Sequence, residues 1–166
     1  MSQAMLGGDI AQIRDGATAY RVLGDNLAAV GGQVVSTTDS TVAGLRDHLA
    51  SAQATLVSSV QALSDESRSI AGRFGGIAWT GANRVQVEEV GTELDARITQ
   101  TTARIQELFE AFRVELDRLG GELSEVAGQF NLVTTSAGES AISLADVMDS
   151  QATQLDDVMN TGITRV

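Results

Sequence analysis

The sequence predicts an all-α chain: a long antiparallel helical hairpin, coiled-coil-like, with shorter N- and C-terminal flanking helices. Three observations predict it. None of the 166 residues is proline, so the residue that most strongly breaks helices is missing. Hydrophobic residues make up 43% of the chain but aromatics only 4%, which suits helix-on-helix packing through Leu, Val, Ile and Ala. Apolar residues recur in steps of three and four along two long stretches, separated by a glycine-rich break.

The elements follow in chain order. Residues 1–32 form the N-terminal flank, in which Ile10, Ile13, Ala17, Tyr20, Leu23, Leu27 and Val30 keep helical spacing up to Gly31-Gly32. Paired glycines end a helix well because they accept a left-handed backbone. The hairpin occupies 33–133. Its first helix, over 33–74, carries Val42, Leu45, Leu49, Leu56, Val60, Leu63 and Ile70 in the same steps. Gly75-Gly76 closes that helix, and Thr80 and Asn83 are capping types that open the next. The second helix, over 83–130, has the more regular pattern. Leu94, Ile98, Ile105, Leu108, Phe112 and Leu119 form its packing seam, with Glu107, Glu110, Arg113 and Asp117 on other faces. A short connection between two such helices makes them antiparallel. A softer break at Thr134–Gly138 then leads into the C-terminal flanking helix, 134–166.

Charge and composition narrow the function. Formal net charge is −11, and every basic residue other than His48 is arginine. No basic stripe is available to neutralise phosphates, so nucleic acid is excluded as a partner. No stretch reaches the ~20 apolar residues of a spanning helix. The N-terminal residues lack a basic segment followed by an apolar run, so no classical signal peptide is expected.

Catalytic chemistry is not legible. His48 is the only histidine and there is no cysteine, so no zinc cluster can be assembled with ordinary donors. No serine or threonine lies in a nucleophile elbow, and a triad would need His48, whose expected role is that of an ordinary helical histidine. No phosphate loop is present, and no lysine exists to complete one. The expectation is a non-enzymatic protein with no cofactor and no metal.

One motif remains. Trp79-Thr80-Gly81 places a lone tryptophan in the glycine-flanked turn between the helices. Trp79 and Gly81 are the turn and recognition candidates. In this arrangement the chain resembles the Trp-X-Gly (WXG, ESAT-6-like) family of small type VII secretion proteins, across roughly the hairpin region. The resemblance implies helical hairpins that pair as homodimers or heterodimers. It also implies a homo-oligomer or a paralogous hairpin as partner, contact with secretion machinery, and export without a cleaved signal. The location implied is secreted or cell-surface, or cytoplasmic before export. The family's C-terminal signal, a tyrosine followed four positions later by an acid, has no counterpart: the only tyrosine is Tyr20, and position 24 is Gly24. The composition also resembles subunits of extracellular helical filaments or phage and injection-type particles, whose terminal helices pair with each other. Under either resemblance the expected function is oligomeric and non-enzymatic.

Overall fold

The computed structural model describes residues 9–75 and 82–163. Two helices account for nearly all of them: α1, Ile10–Gly75, and α2, Ala82–Ile163, of 66 and 82 residues. They pack against each other as a helical hairpin. Asp9 sets the start of α1. Its carboxylate accepts the Ala11 N–H at 3.0 Å and its carbonyl accepts the Ile13 N–H at 3.2 Å. This is the geometry of an N-cap residue, which satisfies donors that have no partner inside the helix.

Among the described residues, the breaks expected to separate flanking helices over 1–32 and 134–166 do not appear. α1 runs through Gly31-Gly32 and α2 runs through Thr134–Gly138 without a break. The reason lies in packing. Gly31 is buried, and a Cβ there would collide with the Thr134 and Asn131 side chains. Thr134 is itself buried, and its hydroxyl donates to the Phe130 and Asn131 carbonyls of its own helix. These residues bring the helices close together rather than ending them. A helical glycine costs about 1 kcal/mol relative to alanine, and the close contact offsets that cost.

The chain divides into two compact units. In the first, the part of α1 up to Ser40 pairs with the part of α2 from Glu122 onward. Its contacts run antiparallel in steady register: Gly16 meets Met148, Gly24 meets Gly138, Gly31 meets Thr134, and Asp39 accepts the Ser124 hydroxyl at 3.0 Å. Its core is made of small residues, with Ala17, Ala127, Ala141, Ala145 and Ala152 buried.

In the second unit, α1 from Thr41 pairs with α2 up to Gly121. Val42 and Ser64 are buried here, and Val42 packs onto Gly120, where a Cβ would lie 2.7 Å from its Cγ1 atom. Among the described residues, no large side chain is fully buried.

Arginines on α1 reach aspartates on α2. In the first unit Arg14 meets Asp156 at 3.5 Å, and Arg21 meets Asp146 and Asp149 at 2.8 and 2.6 Å. In the second unit Arg46 meets Asp117 at 2.8 Å and Arg68 meets Asp95 at 3.4 Å. Aspartate is the shorter acid and fits the narrow gap between closely packed helices. Glutamates pair instead within their own helix, as in Arg97–Glu93 and Arg84–Glu88. Exposed pairs of this kind contribute at most about 1 kcal/mol each. Their larger effect is to favour one register over its shifted alternatives.

Candidate interaction surface

The expected seam resolves into two rows. In the second unit Ile98 and Ile105 are half-buried against α1. Leu94 and Leu119 lie further out, and Leu108 and Phe112 are 54% and 52% exposed. The outer residues hold a fixed relation to inner ones. Leu94 stands one position before Asp95, Leu108 before Phe109 and Leu119 before Gly120. On α1, Leu56 stands before Val57 and Leu63 before Ser64.

One residue is a turn of about 100° around the helix axis. The two helices run in opposite directions, so a step back along either one turns toward the same side of the pair. Leu56, Leu63 and Ile70 on α1 therefore share one face with Leu94, Leu108 and Phe112 on α2. Aromatic contact stiffens this face: the Phe109 and Phe112 rings meet edge-on, with centroids 6.5 Å apart. At one place on the same face the rows part into a groove of about 510 Å³, lined by Ile70, Phe74, Val90 and Leu94 among others.

The first unit repeats the relation. Leu23 and Val30 precede the buried Gly24 and Gly31, while Val126 and Val133 precede Ala127 and Thr134. All four outer side chains are exposed. The small inner residues were the part that sequence reasoning missed. Their signal was present: Gly120, Ser124, Ala127, Asn131, Thr134, Gly138, Ala141 and Ala145 alternate in steps of four and three. A seam of small residues has the coiled-coil period but lacks the hydrophobicity by which seams are usually found.

The charged groups on α2 are mostly tied up locally. The Arg113 guanidinium holds the Glu110 carboxyl below its ordinary range by hydrogen bonding, and Arg118 does the same to Glu115. Asp146 and Asp149 together raise Arg21 above its ordinary value. Among the described residues, no three His, Cys, Asp or Glu side chains gather closely enough to hold a metal ion. His48 lies exposed on α1. Trp79 and Gly81, the recognition candidates, lie outside the described residues. No described helix is long and apolar enough to cross a membrane. Comparison with known protein families, curated proteins and solved structures gives no match.

Proposed function

We propose that this chain is a non-enzymatic interaction protein that works as an oligomer, of the kind that resembles type VII secretion substrates and their partners. One observation carries the reading. In the first unit the helices close mainly on small residues, Ala17, Ala127, Thr134 and Ala145 among them, and in the second a row of Leu, Ile and Phe side chains is left exposed on one face. Extended apolar rows on a soluble surface mark sites where another protein binds. Covering Leu56, Leu63, Leu108 and Phe112 with a second hairpin supplies the large-side-chain core that one copy lacks. The partner is a second copy or a paralogous hairpin. The Trp79-Thr80-Gly81 motif adds the secretion part of the reading.

The runner-up is a structural subunit of an extracellular filament or of a phage or injection-type particle. It is favoured by the pairing of the two terminal segments, through Arg14–Asp156 and Arg21–Asp146, as terminal helices pair in such subunits. Light scattering after size-exclusion chromatography, with negative-stain microscopy of the same fractions, separates the two. A discrete dimer supports the secretion reading, and long or closed assemblies support the structural subunit. A chain that stays monomeric at every concentration overturns both.

A further inference from the structure

Residues 49–64 of α1 carry no formal charge but face the charged Arg104, Glu107, Glu110 and Arg113 of α2; elsewhere one pair of facing segments has none on either helix. Residues 26–38 of α1 and 126–138 of α2 contain no Asp, Glu, Lys, Arg or His. Within the first unit these segments lie side by side, with Gly31 against Thr134 and Asn131. Together they make a belt in which neither helix presents a charged residue on any side. An acid stands at each of its four ends: Asp25 and Asp39 on α1, Glu125 and Glu139 on α2. The belt is not bland. Val30, Val126, Phe130 and Val133 are exposed on one face of it, Val133 by 67%.

We propose that this belt is the surface on which a second copy of the chain docks, belt on belt. The inference rests on the oligomeric reading above and adds a contact in the first unit to the exposed row of the second. Charge selects the occupant. A cationic partner would be drawn to the flanking acids, not to a neutral interval between them. A partner with the same strong negative charge can approach only where neither surface presents like charges. The second copy, at −11, has a neutral interval of the same length by construction. A bilayer does not fit, because thirteen residues span about 20 Å against a hydrocarbon core of about 30 Å.

Two experiments on the full chain test this. Analytical ultracentrifugation compares Val133→Glu and Val126→Glu with Val114→Glu, an equally polar change at a site that is 57% exposed and outside the belt. The belt variants weaken self-association about tenfold or more with helix content retained, and Val114→Glu does not. Single cysteines at Val30, Val133 or Val114 in this cysteine-free chain give the second measurement. Under mild oxidation, belt cysteines link copies to one another and not to a cysteine at position 114. Belt substitutions no more harmful than Val114→Glu, or cysteine links that do not favour the belt, would overturn the belt while leaving an associating chain and the oligomeric reading intact. A wild-type chain that never associates removes both.

Discussion

Gly24 and Gly138 face each other across the helix pair so closely that a Cβ added to either would lie 2.7 or 2.6 Å from the other's carbonyl oxygen. Neither position has room for a methyl group unless the backbones separate. Gly24→Ala is expected to lower stability by about 1–3 kcal/mol through overpacking, although alanine is the better helix former by about 1 kcal/mol. Gly121→Ala, where nothing lies within 4 Å of the new Cβ, is expected to raise stability by up to about 1 kcal/mol. Thermal unfolding followed by circular dichroism checks the pair. Equal effects of one sign would mean that the close approach is not specific.

The outer row gives a second prediction. Leu108→Asp places a charge on a side chain that is half exposed in a single copy. It is expected to dissociate the assembly at concentrations where wild type remains associated. Folding of the single copy depends less on this position than on the inner residues. Light scattering and far-UV circular dichroism on one sample check both statements, and unchanged association would remove Leu108 from the contact.

Trp79→Ala is expected to leave helix content nearly intact while weakening recognition by a partner. A collapse of the far-UV signal would instead make Trp79 part of the packing.

The carboxylates of α2 give a pH prediction. Arg113 hydrogen-bonds Glu110 and lowers its pKa in the folded chain. The stabilisation this gives is present above the unfolded pKa of Glu110 and is lost as pH falls through the lower folded value. Titration by NMR should find Glu110 below the ordinary glutamate range, and Arg113→Gln should return it there. The group is exposed, so its effect on overall unfolding is small.

Salt gives a fifth. Copies that carry a net charge of −11 each repel, and ions screen that repulsion beyond roughly 10 Å at 0.1 M. Association through neutral and apolar surfaces is expected to strengthen between low salt and 0.5 M sodium chloride. A contact built on ion pairs between copies would weaken over the same range, and sedimentation at the two salt concentrations tells them apart.

The sequence showed the helix pair through its spacing, because Leu94, Ile98, Ile105 and Leu108 repeat in threes and fours whatever they touch. It did not show which of them face inward. Ile98 and Leu108 belong to one continuous apolar stripe, and hydrophobicity alone does not tell the part that meets α1 from the part turned about 100° away. The glycines misled for a related reason. Gly31-Gly32 has the composition of a helix end, and only the partner helix at Thr134 shows that a missing side chain there serves contact. The exposed row and the belt were readable in outline, the first as apolar spacing and the second as a run without charge. Their alignment across the two helices needed the register that Gly24–Gly138 reveals for the belt and Arg46–Asp117 for the exposed row.

A chain in which no large side chain of the described residues is fully buried has a thermodynamic consequence. Little large apolar surface leaves water when one copy folds, so a solitary hairpin gains little free energy from burial to set against the conformational entropy it loses. In the proposed oligomer, the larger apolar burial comes from the encounter between copies. Folding and assembly then become linked equilibria, and the melting temperature is expected to rise with protein concentration. For such a molecule dilution acts as a mild denaturant, and the cell sets its stability by how much of it is made.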